Sequence, residues 1–67
     1  MDKHFDVCYL GDCSEHMDNV DTVFYLPKEK TAYVYYNRTD ERRQEIKVFT
    51  GVTYMHLGHD VNLEADW

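Results

Sequence analysis

The segment CYLGDCSEH, residues 8–16, places both cysteines of the chain close to a histidine. Cys8, Cys13 and His16 carry sulfur and imidazole donors, which are the ligands that zinc takes in structural sites. Such sites use four ligands in a tetrahedron, and part of the set commonly comes from a single segment. The spacing predicts a closed structural zinc site in which the fourth protein ligand comes from another part of the chain.

The fourth ligand is taken to be His59, with His56 and His4 as alternatives. His56 and His59 flank a glycine, and His4 lies on the same predicted strand face as Cys8. The competing interpretation treats Cys8 and Cys13 as small apolar packing residues and the histidines as surface residues. The sequence alone leaves both interpretations open.

A metal ion would suit a chain of this length. A domain of 67 residues buries only about 60% of the surface that its unfolded chain exposes, so it commonly needs a disulfide, a metal ion or an oligomer interface. The composition, 43% hydrophobic and 15% aromatic, is typical of a folded protein. We therefore expect residues 1–67 to form a single compact domain.

The N-terminal sequence lacks the basic and apolar regions of a secretory signal, and no apolar run approaches the ~20 residues of a membrane helix. We therefore expect a cytoplasmic protein. Thiols stay reduced in that compartment, which favours metal ligands or packing residues over a disulfide.

The charge is acidic and uneven. The net charge is −6, and many of the acids lie in the first third of the chain. Such a surface repels phosphate backbones and attracts basic proteins, so the expected partner is a basic nucleic-acid-binding protein rather than nucleic acid itself. The acids assigned to this surface are Asp2, Asp6, Asp12, Glu15, Asp18 and Asp21.

Catalysis is not expected. Cys13 with His16 has the residue types of a nucleophile and a base, but no known catalytic motif surrounds the pair. A chain this short also rarely encloses a substrate pocket. The sequence therefore indicates a binding protein and not an enzyme.

Alternating apolar residues and β-branched or aromatic enrichment predict five strands. They cover residues 4–10, 20–26, 31–36, 45–50 and 52–57. Asp12 followed three residues later by Glu15 is typical of a capping box, which predicts a short helical turn carrying Cys13 and His16. The expected class is α+β, mostly β: a small antiparallel meander of four to five strands with one short helical turn near the N-terminus.

With CYLGDCSEH near its start, this acidic, tyrosine-rich chain resembles the small zinc-containing type II-A anti-CRISPR proteins that phages encode to inhibit Cas9. The resemblance implies a non-enzymatic inhibitor that acts in the host-cell cytoplasm and blocks guide loading, target capture or nuclease activation. Cas9 holds its nucleic acids in positively charged channels, which an acidic protein complements. The alternative is a small structural or regulatory protein-binding module that is stabilised by zinc. Such a module could form a homodimer through an open sheet face.

Overall fold

The part of the chain that the structure describes folds as seven β-strands in two sheets. The structure is a computed structural model that describes residues 2–39 and 43–66. No helix occurs in this part of the chain, and thus none that is long and apolar enough to cross a membrane. The strands are β1 (Phe5–Tyr9), β2 (Cys13–Met17), β3 (Val20–Leu26), β4 (Thr31–Tyr36), β5 (Glu45–Phe49), β6 (Val52–Leu57) and β7 (Asn62–Ala65).

The two sheets differ in size and topology. Sheet 1 has the order β2-β1-β6, and all of its pairs are antiparallel. Sheet 2 has the order β5-β4-β3-β7, in which β7 runs parallel to β3. The mostly β, largely antiparallel prediction is confirmed, but one meander was expected where the chain builds two sheets and adds a parallel edge strand.

The predicted helical turn at residues 12–16 is wrong, and with it the α+β class for the described residues. Cys13 lies opposite Tyr9 in the antiparallel pairing of β1 with β2. The loop between them turns tightly, because Leu10 and Gly11 both have positive φ, at 51° and 80°. The chain therefore reverses into a hairpin, and strand pairing satisfies the backbone groups that a helical cap would have served.

The core draws on both sheets. Val20 and Val23 are both buried although three positions separate them, a spacing that puts residues on opposite faces of a regular strand. A bulge between Val20 and Thr22 in the pairing with β4 interrupts the alternation of side chains between the two faces, so both valines point inward. The buried hydrophobic residues are Phe5, Val7, Val20, Val23, Ala32, Val34, Phe49 and Val52.

Each sheet keeps an outward face. In sheet 1, Phe5 and Val7 point to the core, so strand alternation turns Asp6 outward together with its register partners His16 and His56. In sheet 2 the outward face is apolar and aromatic instead. It carries Phe24, Tyr33, Tyr35, Ile46 and Val48. The first three alternate with buried residues along β3 and β4, and the last two lie opposite the two tyrosines in the register of β4 with β5.

Candidate metal centre

Pairing of β1 with β6 assembles a group of three potential metal ligands. Asp6 lies directly opposite His56 in the register. His4 precedes β1 by one residue and shares the face of Asp6, two positions on. The N–H of Gly58 donates to the carbonyl oxygen of His4 at 2.9 Å, which continues the strand contact beyond the end of β6. The three side chains therefore converge on the outward face of sheet 1.

The ligand atoms of this group form a triangle whose shortest side is a hydrogen bond between the two imidazole rings. His4 Nε2 lies 3.0 Å from His56 Nδ1, and Asp6 Oδ2 lies 3.7 Å from His4 Nε2 and 3.8 Å from His56 Nδ1. A point equidistant from these atoms is about 2 Å from each, which matches zinc–nitrogen and zinc–oxygen bonds of ~2.0–2.2 Å. His4, Asp6 and His56 can therefore hold a metal ion.

Exposure leaves the group accessible from solvent. The exposed fractions of the His4, Asp6 and His56 side chains are 25%, 41% and 57%. Two imidazoles and one carboxylate are a known donor set for catalytic zinc, in which three protein ligands leave one coordination position open. This arrangement differs from the closed four-ligand site that the sequence predicted.

Asp2 fixes the orientation of the His4 ring. Its carboxylate contacts His4 Nδ1, which leaves Nε2 to face the other two ligand atoms. The contact with His4 lowers the pKa of Asp2 against the opposing effect of burial, and the backbone N–H of His59 adds to the lowering. Two hydrogen bonds hold the Asp2 backbone against the turn after β6. Asp2 N–H donates to Asp60 Oδ2 at 2.7 Å, and Asp60 N–H donates to the Asp2 carbonyl at 2.8 Å.

A second contact holds the carboxylate of Asp6. His16 Nδ1 lies 2.5 Å from Asp6 Oδ1, and His16 Nε2 lies 3.2 Å from Asp18 Oδ1. The hydrogen bond between His16 and Asp6 lowers the pKa of Asp6 and raises that of His16, while burial opposes both shifts. Asp6 is therefore held in its charged form, the form that binds a cation, with Oδ2 directed at the two other ligands.

The four ligands predicted from the sequence are not brought together. Cys8 is half-buried on the outward face of sheet 1, two positions beyond Asp6, whereas Cys13 pairs with Tyr9 and so belongs to the other face. His59 lies in the turn after β6. In the described part of the chain, the trio of His4, Asp6 and His56 is the group of three or more whose ligand atoms lie within 4.8 Å of one another.

Three of the six acids assigned to partner binding lie at this centre. Asp6 is one of the candidate ligands, Asp2 contacts His4, and Asp18 contacts His16. Asp60 joins them through its bonds to the Asp2 backbone. Four carboxylates thus surround three histidines, which gives this face a strong attraction for cations when the imidazoles are neutral.

The other three acids lie apart from the centre. Glu15 forms an ion pair with Lys47, and Asp21 forms one with Lys3 at 3.1 Å. Asp12 is exposed in the β1–β2 loop. The predicted acidic surface is therefore divided into a cluster at the histidines, two acids paired with lysines, and the exposed Asp12.

The sequence contained part of the signal for this group. Alternation across residues 4–9 places His4 and Asp6 on one strand face, and His56 was already an alternative fourth ligand. What the sequence did not contain was the register that puts Asp6 opposite His56. Asp6 was consequently assigned to partner binding and not to the metal.

No protein-family model matches this chain. Comparisons with curated proteins and with solved structures likewise find no significant match.

Proposed function

We propose that the protein is a non-enzymatic inhibitor that works by stoichiometric binding to a basic nucleic-acid-processing protein in the cytoplasm of the host cell. Cas9 is the partner that the resemblance implies. The observation that supports the proposal is the cluster of Asp2, Asp6, Asp18 and Asp60 on one face. In the described residues, none of these four carboxylates forms an ion pair with lysine or arginine.

Electrostatics favours such a partner. The chain carries a net charge of −6, and the side chains of Asp2 and Asp18 are 51% and 76% exposed. Exposed charges of one sign steer association with a surface of opposite sign and accelerate encounter at low salt. A channel that normally holds a phosphate backbone presents such a surface, and an acidic protein bound there would compete with the nucleic acid.

The proposal includes zinc as a structural cofactor. A zinc ion at His4, Asp6 and His56 would join the segment before β1 to β6 and stiffen the face that carries these acids. A surface already ordered before binding loses less conformational entropy when the complex forms. The ion would thus contribute to affinity without touching the partner.

A pull-down against Cas9, together with a DNA-cleavage assay, tests the proposal. We expect one-to-one binding that weakens as salt rises and cleavage that stops at stoichiometric inhibitor. Asp18→Lys should weaken binding by about tenfold or more, because it reverses an exposed charge that has no lysine or arginine partner in the described residues. Glu29→Lys, which makes the same charge change in the β3–β4 loop, should leave binding nearly unchanged. Normal cleavage at large molar excess would rule out Cas9 as the target.

The outward face of sheet 2 favours a second candidate, a regulatory module that dimerises through its open sheet face. Ile46 and Val48 are 58% and 48% exposed, and they border Tyr33 and Tyr35 on the next strand. A contiguous apolar face of this kind is typical of an interface, and a second copy of the chain would cover it with the same residues.

Light scattering after size exclusion distinguishes this candidate. A dimer that Val48→Lys converts to monomer would support it. Leu10→Lys is the matched control, because Leu10 is also apolar, lies in the β1–β2 loop and is more exposed than Val48. A monomer at all concentrations would remove the candidate.

A further inference from the structure

The geometry points to a mononuclear zinc site whose protein ligands are His4 Nε2, Asp6 Oδ2 and His56 Nδ1, with a fourth coordination position open to solvent. This inference concerns the isolated chain and does not depend on the proposed partner. It differs from the site predicted around Cys8 and Cys13 in both ligand types and ligand number.

The first argument is the direction of the three ligand atoms. The distances from Asp6 Oδ2 to His4 Nε2 and His56 Nδ1, 3.7 and 3.8 Å, exceed those of a hydrogen bond. The carboxylate oxygen therefore bonds to neither ring, yet it lies almost equally far from both. Ligand atoms around a tetrahedral zinc ion lie about 3.3 Å apart, so the three atoms occupy nearly the positions that a shared ion requires.

The second argument is the support behind the ligands. Histidine ligands of metals typically bond through their other nitrogen to a carboxylate, and carboxylate ligands are themselves hydrogen-bonded. Both features are present here, because Asp2 bonds to His4 Nδ1 and His16 bonds to Asp6 Oδ1. These contacts orient the His4 ring and the Asp6 carboxylate before an ion arrives.

The donor set selects the class of ion. Calcium and magnesium prefer sites made of oxygen atoms, whereas two imidazoles and one carboxylate suit zinc and neighbouring divalent transition metals. Three protein ligands leave zinc one position for water, and the 57% exposure of the His56 side chain shows that solvent reaches the site. We therefore assign a zinc ion held by three protein ligands and one water molecule, rather than one enclosed by four protein ligands.

Zinc titration of the protein without a histidine tag tests the assignment, with calorimetry and native mass spectrometry as readouts. We expect one zinc ion per chain. His56→Ala should lower the affinity by more than about 100-fold, since loss of a direct ligand exceeds the 10–100-fold cost of losing a supporting contact. Asp6→Asn should lower it similarly.

His59→Ala is the matched control, because His59 is also exposed, lies three positions from His56 and is outside the ligand group. It should bind zinc with unchanged affinity. Circular dichroism of each variant checks that the fold is retained, as expected for replacements of exposed side chains. Equal losses in His56→Ala and His59→Ala, or no zinc binding by the unmodified chain, would overturn the assignment.

Cobalt substitution distinguishes the two donor sets directly. With nitrogen and oxygen donors, the cobalt-loaded protein should show visible ligand-field bands and lack the near-ultraviolet charge-transfer band of a cobalt–thiolate bond. The double variant Cys8→Ser, Cys13→Ser should bind cobalt and zinc as the unmodified chain does. A thiolate band, or loss of binding in the cysteine variant, would refute the His4–Asp6–His56 site whether or not the protein inhibits any nuclease.

Discussion

Gly58 packs directly against Asp2. A side-chain carbon at position 58 would lie 2.6 Å from Asp2 Oδ1 and even closer to the Asp2 carbonyl oxygen. Gly58 is buried, and its N–H donates to the carbonyl oxygen of His4. The absence of a side chain at position 58 therefore allows the segment bearing Asp2 and His4 to lie against the end of β6.

Gly58→Ala should consequently disturb both stability and metal binding. The added methyl group must displace the Asp2 backbone, so we expect a loss of about 1–3 kcal/mol in the free energy of unfolding, typical of overpacking. Zinc affinity should fall by about 10–100-fold as Asp2 leaves His4. Thermal unfolding and zinc titration measure the two effects.

Gly11→Ala is the control for this variant. Gly11 has a φ of 80° but nothing within 4 Å of an added carbon. This substitution strains the backbone of the β1–β2 loop and should lower stability while leaving zinc affinity intact. Equal zinc affinities in both alanine variants would contradict the role given to Gly58.

Asp21 should contribute a pH-dependent stability. Burial raises its pKa, but the ion pair with Lys3 and the backbone N–H of Arg38 outweigh burial, and the pKa lies below the usual 3.8. A lowered pKa in the folded state means that this stabilisation is present above pH 3.8 and is lost as the pH falls through the folded-state value. Asp21→Asn should cost about 1 kcal/mol at neutral pH and progressively less in acid.

Urea unfolding at a series of pH values measures this effect. Asp12→Asn provides the control, because in the described residues the Asp12 side chain has no hydrogen-bond or ion-pair partner. A constant difference between Asp21→Asn and the unmodified chain across the acid range would show that the pKa of Asp21 is not lowered.

His16 should titrate above its usual pKa of 6.5 in the metal-free protein. The hydrogen bond to Asp6 is the main cause, burial opposes it, and Asp18 contributes further. Because the folded-state pKa is raised, the associated stabilisation is complete below pH 6.5 and is lost as the pH rises through the folded-state value. NMR titration in the presence of a chelator should give a His16 pKa above 6.5. This pKa should decrease more in Asp6→Asn than in Asp18→Asn. A value at or below 6.5 in the unmodified protein would contradict the contact.

Lys47 and Glu15 connect the two sheets across the edge of the core. Their ion pair lies where β5 approaches β2, and Lys47 also lies 5.4 Å from the centre of the Phe49 ring. Both side chains are exposed by about a third or more, so a double-mutant cycle with Lys47→Met and Glu15→Gln should give a coupling below about 1 kcal/mol that decreases with salt. Coupling that is unchanged in high salt would argue against an ion pair.

Much of the strand content could be predicted from local sequence. β3, β4 and β6 match their predicted bounds, because runs such as Thr31–Tyr36 combine alternation with β-branched and aromatic residues. β2 was missed, since the polar segment Cys13–Met17 has no strand pattern of its own and becomes a strand by pairing with β1. β7 is likewise a short edge strand defined by its contact with β3.

The candidate site was harder to predict for the same reason. The ligand types are visible in the sequence, but Cys8 and Cys13 are close together along the chain, whereas the ligands that the fold brings together span residues 4–56. Strand alternation then places Cys13 on the face opposite His16, while the register unites Asp6 with His56. Register depends on the pairing of distant segments, and a single sequence contains no direct record of it.

The 3.0 Å contact between His4 and His56 joins residues 52 positions apart in the chain. A loop of that length is closed only when β6 docks on β1, at an entropic cost that grows with loop length, and non-local pairing of this kind is slow compared with hairpin formation. During synthesis the first ligands leave the ribosome long before His56 exists. If the group binds a metal ion, metal uptake would therefore report completion of sheet 1, and a nascent or partly folded chain would not retain the ion.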